Sequence, residues 1–381
     1  MLCQLSALLS GCLLFQVARA ADAIVPGRAF DRFISIWLEN QDFAEVLKDD
    51  AFADLKKSGI LQTRYFAHTH PSQPNYLASV AGDYFGLNHD DFVRVPSNVS
   101  TVVDLLEDKQ ISWGGYFEGN PGPGYMAVGS YDKDGTWDYV RKHNHFVSFD
   151  SVNTQGSRLA RLLSFKDFQR DFAAGTLPQF IMMSPDMNND GHNTTLEYAT
   201  KWAHEFLKPL LADSAFAEPT VIQLTYDESY DYSKPNQIVS LLVGNGIPKD
   251  QHGKEDSDFY THYSVLATVE NNWELPNLGR YDVGANVFKF VADVTGYVNN
   301  DPENAASVDS SISYAGYLNN ETSAQIEIPS PNLKLTGAGG KPILESIRTQ
   351  WQREEFKKVP YDGSGRVYDG DKNAPEYKLQ G

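Results

Sequence analysis

The hydrophobic pattern of the chain alternates short apolar runs with longer amphipathic segments. The short runs are rich in β-branched and aromatic residues, which is typical of buried strands. Strands are predicted at 33–38, 63–68, 111–117, 179–184, 220–226 and 238–244. Helical periodicity predicts helices at 156–174, 195–213, 262–273 and 286–297. Strands separated by helices indicate an α/β fold, doubly wound, with a mostly parallel central sheet and helices on both faces.

Polar side chains follow four of the predicted strands at the point where each strand ends. They are Glu39 and Asn40, the segment 68–75, the segment 186–192, and Asp227 and Glu228. In open α/β sheets, ligands bind outside the carboxyl ends of the parallel strands. A single polar cluster at such a position is commonly the ordinary polar surface of a loop, but four clusters at one edge predict a functional site.

The second cluster contains the run THPSQPNYLASVAG, residues 69–82, which places Ser72 and Asn75 at the start of a small-residue helix. One interpretation is structural, because the prolines would form a turn and the serine would cap the helix. The other interpretation is chemical. Ser72 would be a nucleophile, activated by a metal ion or by the helix N-terminus. Asn75 would hold a phosphate oxygen at the same helix start.

Hard oxygen ligands dominate the first and fourth clusters. Glu39, Asn40, Asp227 and Glu228 suit one divalent cation such as Mg²⁺, Mn²⁺ or Ca²⁺, and Zn²⁺ is a further candidate. The Ser72 hydroxyl would complete this set of ligands. For the pair at 227–228 alone, two solvent-exposed acids would be the simpler interpretation. The four residues together predict a metal site.

The third cluster and a distant histidine leave alternatives open. The run SPDMNNDGHN, residues 184–193, brings together Asp186, Asp190 and His192, and His262 follows far downstream. These residues would bind or support a second metal ion, or the two histidines would bind phosphate oxygens as cations. Both histidines are also candidate general acids, because an unperturbed imidazole has a pKa of about 6.5.

The first residues, MLCQLSALLSGCLLFQVARA, predict a secretory signal peptide over 1–20, cleaved near Ala20. Cys3 and Cys12 both lie inside it, so we expect a secreted mature chain without disulfides. A catalytic domain is predicted over 21–300. The polar, Asn-, Ser-, Pro- and Gly-rich residues 301–381 are predicted to be a C-terminal extension packed on that domain or trailing from it.

The formal net charge of -18 argues against nucleic acid as a partner, because a polyanion would be repelled over most of the surface. The polar C-terminus carries no lipid-anchor signal, so no membrane anchor is predicted. Sequons at Asn98 and Asn320 are predicted glycosylation sites. The sequon at Asn193 abuts His192, and we expect it to be unmodified or to point away from the site.

The order of the short motifs resembles that of the phosphoesterase family of acid phosphatases and bacterial-type phospholipases C. The motifs are EN at 39–40, PSQPNY at 71–76, DGH at 190–192, TYDE at 225–228 and HYS at 262–264. The chain is most similar to the secreted fungal acid phosphatases of that family, which belongs to the alkaline phosphatase superfamily. The resemblance covers roughly residues 30–295, and it implies an alkaline-phosphatase-like fold.

The resemblance also implies roles for individual residues. Ser72 matches the nucleophile, and the acids and amide at 39–40 and 227–228 match the ligands of a retained metal ion. Phosphate would be contacted by Asn75, Asn40, His70 or His68, His192 and His262. The pair at 227–228 is Asp-Glu where the superfamily usually has Asp-His, which leaves the identity of the metal open.

Together these motifs predict a secreted acid phosphatase that hydrolyses small phosphate monoesters through a phosphoserine, with one divalent metal ion. An alternative on the same site is a phospholipase C or another phosphodiesterase, in which 114–129 and 139–146 would be substrate loops. A sulfatase is less favoured, because Tyr76 stands where that signature has an arginine. An alternative of another class is a secreted glycoprotein that binds without turnover, and the intact nucleophile and ligands argue against it.

Overall fold

The computed structural model describes residues 23–379 with gaps at 213, 322–325, 355–357 and 371–372. The predicted signal peptide, with both cysteines and its cleavage site, lies outside the described residues. Within the described part of the chain, no helix has the length and apolar character needed to span a membrane.

Short helices and strands alternate along most of the chain. The strands are β1 (Arg32–Leu38), β2 (Ile60–Phe66), β3 (Trp113–Phe117), β4 (Gly129–Tyr131), β5 (Trp137–Val140), β6 (Leu162–Leu163), β7 (Phe180–Ser184), β8 (Thr220–Tyr226), β9 (Gln237–Val243), β10 (Lys254–Thr261), β11 (Lys358–Val359) and β12 (Lys378–Leu379). The helices are α1 (Phe43–Val46), α2 (Asp50–Lys56), α3 (Ser72–Ala81), α4 (Val102–Asp108), α5 (Asp150–Asn153), α6 (Gly156–Leu159), α7 (Phe165–Ala174), α8 (Leu196–Leu210), α9 (Tyr263–Trp273), α10 (Lys289–Thr295) and α11 (Glu345–Trp351).

An eight-stranded sheet forms the centre of the molecule, in the order β10-β2-β9-β8-β1-β7-β3-β6. Its pairings are parallel except the two that β9 makes with β2 and β8, so β9 alone runs against the others. Every residue of β1 and of β8 is buried. Because successive side chains of a strand point to opposite faces, both faces of the sheet are covered. The predicted α/β fold with a mostly parallel sheet is confirmed.

All six predicted strands are present, although β2 begins at Ile60 rather than at 63. Among the described residues six strands were missed, four of them short strands outside the central sheet; the longest is β10, which pairs with β2 at one edge of that sheet. Its sequence, KEDSDFYT, is polar for most of its length, and its first two residues are exposed. An edge strand with one solvated side lacks the continuous apolar run that marked the central strands.

The helix predicted at 156–174 is wrong as a single element. The chain forms α6, then β6, which pairs with β3, and only then begins α7. The first helical segment ends at Leu159, and Ser164 starts α7 through a capping box with Asp167. The Ser164 backbone N donates to Asp167 Oδ2 at 3.0 Å, and the Asp167 backbone N donates to Ser164 Oγ at 3.4 Å. This local capping chemistry overrides the helical periodicity of the segment.

The described residues after 300 pack on the sheet domain through buried aromatic side chains. Tyr314 and Tyr361 both donate hydroxyl hydrogen bonds to the buried carboxylate of Asp83, which follows α3. Trp351, at the end of α11, is also part of the main hydrophobic core. The described part of the extension therefore completes the core, and the domain boundary near residue 300 stays a prediction.

Candidate active site

Adjacent parallel strands bring the predicted metal ligands together. In the pairing of β1 with β8, Leu38 lies opposite Tyr226. The next residues, Glu39 and Asp227, therefore leave the sheet side by side. The loop after β7 joins them, because the Glu39 backbone N donates to Asp190 O at 3.0 Å. Three strand ends thus meet at one edge of the sheet, as expected for an open α/β fold.

Ser72 is the first residue of α3 and lies inside a cluster of carboxylates. Its Oγ is 3.1 Å from Glu39 Oε1 and 3.1 Å from Glu228 Oε1, and all three side chains are buried. Ser72 does not cap the helix, because Pro71 holds the N-cap position. Every residue of α3 is buried, so the surrounding packing holds the serine in place. The geometry favours the chemical interpretation of this motif over the structural one.

The structure adds His143, to which the sequence reasoning assigned no individual role. One ligand atom from each of Glu39, His143 and Asp227 lies within 4.8 Å of the others, and all three residues are buried. His143 Nε2 contacts Glu39 Oε1, and His143 Nδ1 is 3.5 Å from Asp190 Oδ2. His143 ends a 3₁₀ turn that follows β5. Its sequence signal is the run KHNH at 142–145, within a segment predicted only as a substrate loop.

Two cationic or ionisable side chains border the cluster on its solvent side. Lys142 Nζ lies 3.8 Å from Glu39 Oε1 and 3.1 Å from Asp90 Oδ2, with 20% of the lysine side chain exposed. His192 Nδ1 lies 2.6 Å from Glu39 Oε2, with 40% of the histidine side chain exposed. The cluster therefore borders solvent at the exposed His192 and, to a smaller extent, at the partly buried Lys142.

The buried carboxylates fall into two classes, one with a lowered pKa and one with raised pKa values. Burial opposes the ionisation of Glu39, but its contacts with His143, His192 and Lys142 together outweigh burial and hold the pKa of Glu39 well below its usual range. Burial, followed by the charge of Glu39, raises the pKa of Asp227 and of Glu228 well above the usual range. Glu39 in turn raises the pKa of His143 to about 9 against the effect of burial. A cluster with this excess of acidic groups attracts a cation.

Buried oxygen atoms without hydrogen-bond partners indicate where a metal ion would bind. Asp227 Oδ2 and Asn40 Oδ1 are buried and accept no hydrogen bond from any described residue. Leaving such an atom unpaired costs about 1–3 kcal/mol, and coordination of a cation would remove that cost. The donor set suits a hard divalent cation, with an imidazole as one additional ligand. The candidate ligands are Glu39, Asn40, Ser72, His143, Asp227 and Glu228.

Asn75 lies close to the cluster in sequence, but both ends of its amide are engaged. Its Oδ1 accepts from the backbone N of His68 at 2.8 Å, and its Nδ2 donates to Thr69 O at 2.8 Å. The amide therefore braces the loop that leads into Ser72. The prediction that Asn75 contacts phosphate directly has no support in this geometry.

His262 lies behind the cluster. Its ring stacks on Trp37 with centroids 4.3 Å apart, and its Nε2 is 2.9 Å from Asp227 O. Burial lowers the pKa of His262 to about 3, which keeps the ring neutral under mildly acidic conditions. His262 is completely buried and neutral, so this geometry adds nothing to its predicted roles as general acid, phosphate ligand or ligand of a second metal ion, and they stay predictions. Its contact with Asp227 positions a candidate metal ligand.

The loop 184–193 separates its predicted site residues. Asp190 lies beside His143, and burial raises the pKa of Asp190 to about 6. Asp186 turns away from the cluster, because its Oδ1 accepts from the backbone N of residues 188 and 189 at 2.9 and 2.8 Å. The structure therefore places Asp190 within reach of the cluster and gives Asp186 a supporting role in the loop.

His70 forms the wall of the cluster that faces the C-terminal extension. Its Nδ1 contacts Glu228 Oε2, and its ring stacks on Tyr232 with centroids 3.7 Å apart. His68 is completely buried and stacks on Tyr263 instead. Of the two alternatives for a further phosphate contact, only His70 is near the carboxylates.

The three sequons lie in different environments. Asn193 and Asn320 are exposed, whereas Asn98 is partly buried. The amide of Asn193 donates to Trp137 O at 3.2 Å. Glycosylation at these positions stays a prediction.

Known proteins are similar to this chain in sequence. Residues 36–276, which contain the whole cluster, match the model of the Phosphoesterase family. A probable acid phosphatase of Kluyveromyces lactis is 44% identical over 337 residues, which cover 88% of this chain and 79% of that protein. The phosphate-repressible acid phosphatase of Penicillium chrysogenum is 43% identical over 344 residues, which cover 89% and 82%. A solved structure of an alkaline phosphatase superfamily protein from Vibrio parahaemolyticus aligns with a TM-score of 0.41 and 13% identity, covering 65% of this chain and 68% of that one.

Proposed function

The chain belongs to the phosphoesterase family, as its ordered motifs predicted, and we propose that it is a metal-dependent acid phosphatase that hydrolyses phosphate monoesters through a phosphoserine. The relatives named acid phosphatase, at 44% and 43% identity, support this activity. One structural observation carries the mechanism. A buried serine hydroxyl lies 3.1 Å from each of two carboxylates, next to buried oxygens without partners.

Ser72 is the proposed nucleophile. Its hydroxyl donates to Glu39, which its lowered pKa keeps ionised, so this carboxylate orients the hydroxyl and takes up the proton as the bond to phosphorus forms. The N-terminus of α3 adds partial positive charge at the same oxygen. As the bond from Oγ to phosphorus forms, the bond from phosphorus to the leaving oxygen breaks. The products of this step are a phosphoserine and an alkoxide that needs a proton.

His192 is the proposed general acid for that alkoxide. Its ring is the exposed imidazole at the cluster, 2.6 Å from Glu39 Oε2, so it can reach a leaving group that enters from solvent. After it has protonated the alkoxide to give the alcohol, the neutral imidazole can accept a proton from the water that hydrolyses the phosphoserine. The completely buried His262 would keep Asp227 in position instead.

Lys142 is the proposed counter-charge for the phosphate oxygens, since its ammonium lies 3.8 Å from Glu39 Oε1 at the edge of the cluster. His143 also contacts Glu39, and as a candidate metal ligand it would be neutral when an ion is bound. When bound to the acidic ligands, a divalent metal ion would lower the pKa of the serine hydroxyl and neutralise charge on the phosphate. Fixed charges in a site that excludes water commonly provide the largest part of the rate enhancement.

The test compares p-nitrophenyl phosphate with bis-p-nitrophenyl phosphate, using the wild-type protein and the Ser72→Ala variant. We expect monoester hydrolysis to be faster and to disappear in Ser72→Ala. Ser79→Ala is the matched control, because Ser79 lies on the same helix and bonds only to Tyr76 O among the described residues. An active Ser72→Ala protein would exclude the nucleophile. Faster diester hydrolysis would move the assignment to a phosphodiesterase.

Secretion is a separate part of the proposal. It is supported by the predicted signal peptide at 1–20 and by the exposed sequon at Asn320. Expression in a yeast host, followed by N-terminal sequencing of the protein in the medium, should give a first residue next to Ala20. A loss of mass on endoglycosidase treatment would identify the glycans, and an intracellular, uncleaved chain would contradict this part.

A further inference from the structure

The carboxylate of Asp90 joins two groups that the proposed reaction uses. Its Oδ1 accepts from the backbone N of Gln73 at 3.0 Å, and its Oδ2 accepts from Lys142 Nζ at 3.1 Å. Gln73 directly follows the proposed nucleophile, Ser72, in the first turn of α3. A single side chain therefore connects the proposed counter-charge to the helix that carries the serine.

Lys142 is held by Asp90 rather than by the cluster itself. Its Nζ lies within hydrogen-bond distance of Asp90 Oδ2, whereas Glu39 Oε1 is farther away at 3.8 Å. Burial opposes the charge of Lys142, but Glu39 and Asp90 outweigh burial and raise the pKa of the lysine above its usual range, so the ammonium stays protonated. Among the described residues, Glu39 is the other carboxylate within 4.0 Å of this ammonium. Without Asp90, the ammonium would therefore move toward a candidate metal ligand.

The loop that carries Asp90 is itself fixed on two sides. On the side of α3, the Gln73 side chain donates through Nε2 to Asp91 O at 2.9 Å. On the side of the C-terminal extension, Ser313 Oγ donates to Leu87 O at 3.0 Å. The carboxylate of Asp90 is 30% exposed, yet it is presented by a loop that is braced by both of its neighbours.

We propose that Asp90 is a positioning residue for phosphate-monoester hydrolysis, and that it holds the Lys142 ammonium at the solvent edge of the carboxylate cluster, ready to meet a phosphate oxygen. The inference rests on the proposed phosphatase activity and on the proposed role of Lys142. A charge that is already in place when the substrate arrives needs no reorganisation during the reaction. A displacement of about 1 Å in such a group can lower a rate about a hundredfold.

The direction of one change distinguishes positioning from a simple effect of charge. Loss of an acid near an anion site would by itself reduce repulsion and tighten the binding of phosphate. Loss of the residue that holds the counter-charge would weaken the binding of phosphate. The two interpretations therefore predict opposite changes in the inhibition constant of inorganic phosphate.

The first experiment replaces Asp90 with asparagine. The two donors bond to different carboxylate oxygens and an amide retains only one oxygen, so Asp90→Asn breaks the connection between Gln73 and Lys142. We expect kcat/KM for p-nitrophenyl phosphate to fall at least about tenfold and the inhibition constant of phosphate to rise at least about threefold. Asp91→Asn is the matched control, because it removes the same charge from a neighbouring side chain that is 90% exposed. It should change both values by less than about twofold.

The second experiment tests whether Asp90 acts through Lys142. In a Lys142→Met background, Asp90→Asn should change kcat/KM by less than about twofold, because the ammonium that it holds is absent. A further loss as large as in the wild-type background would overturn the proposal, since a general structural role of Asp90 does not depend on the lysine.

The outcomes separate the two proposals. A wild-type protein that hydrolyses no phosphate monoester and is not inhibited by phosphate would refute the phosphatase itself. An active protein in which Asp90→Asn leaves the inhibition constant of phosphate unchanged or lowers it would overturn the positioning role alone. If Asp90→Asn fails to fold, as judged by thermal unfolding, Gln73→Leu decides the matter, because it removes the side-chain bond that holds the loop to α3. That variant should also raise the inhibition constant, and an unchanged value overturns the proposal.

Discussion

Asp83 links the sheet domain to the C-terminal extension through two buried tyrosines, and its removal should destabilise the whole protein. Its carboxylate accepts hydrogen bonds from the hydroxyls of Tyr314 and Tyr361, the latter at 2.5 Å, and from the Phe85 backbone N at 2.7 Å. Both tyrosines belong to the extension and both are buried. The perturbation is Asp83→Ala, which deletes the shared acceptor and leaves the donors in place.

The expected loss of stability follows from the buried hydroxyl groups that lose their acceptor. A buried hydroxyl without a partner costs about 1–3 kcal/mol, so two tyrosines without their acceptor predict a loss of about 2–6 kcal/mol. This is a large share of the total stability of about 5–15 kcal/mol typical of folded proteins. Tyr361→Phe alone should cost about 1–3 kcal/mol in the wild-type background, and much less once Asp83 is absent.

The free energy of unfolding is measured by urea titration, with tryptophan fluorescence as the signal, for Asp83→Ala, Tyr361→Phe and the double variant. Tyr368→Phe is the matched control, because Tyr368 is a buried tyrosine of the same extension that makes no hydrogen bond to Asp83 in the described structure. We expect it to change stability by less than about 0.5 kcal/mol. Equal costs of Tyr361→Phe with and without Asp83 would refute the coupling, and so would an Asp83→Ala protein as stable as the control.

Three further predictions concern buried charge and the metal site. Burial, followed by the charge of Asp282, raises the pKa of Glu270 well above its usual range. Between the unfolded value of about 4.3 and that raised value, the native protein keeps a proton that the unfolded chain loses, so stability falls as pH rises. Glu270→Gln should flatten this slope in urea titrations between about pH 5 and about pH 8, and an unchanged slope would contradict it. His143→Gln should lower both the metal content, measured by mass spectrometry, and kcat/KM at least about tenfold, whereas unchanged metal content would remove His143 from the ligands. Dialysis against a chelator should abolish hydrolysis of p-nitrophenyl phosphate and added divalent cation should restore it, unless the enzyme needs no metal.

The central sheet was predictable because strands buried on both faces appear as continuous apolar runs. FISIWL at 33–38 and TVIQLTY at 220–226 are two such runs, and they became neighbouring strands. The acidic residues that follow them could then be assigned to one edge by a general rule of α/β folds. The edge strand β10 was not predicted, because one of its sides is solvated and its sequence lacks a continuous apolar run. The start of α7 at Ser164 was not predicted, because the local capping box outweighs the helical periodicity of the segment.

The residue roles were less predictable than the fold, because a side chain's type does not tell whether its polar atoms already have partners. Asn75 and His262 have the chemistry of phosphate ligands, yet packing gives their polar atoms to nearby backbone groups. His143 was not predicted as a site residue, and the reason is its position in the fold. It lies in a 3₁₀ turn after a short hairpin rather than at the end of a central strand, so the strand-end rule does not reach it.

The candidate active site and the C-terminal extension come from different parts of this chain. The span that matches the phosphoesterase family, 36–276, contains the proposed nucleophile and all candidate metal ligands. The residues that bond to Asp83 from the extension, Tyr314 and Tyr361, lie beyond that span. Because Asp83 directly follows α3, the extension is tied to the helix that begins at Ser72. A segment outside the family span thereby supports the helix that positions the proposed nucleophile, so destabilising the extension should also disturb the site.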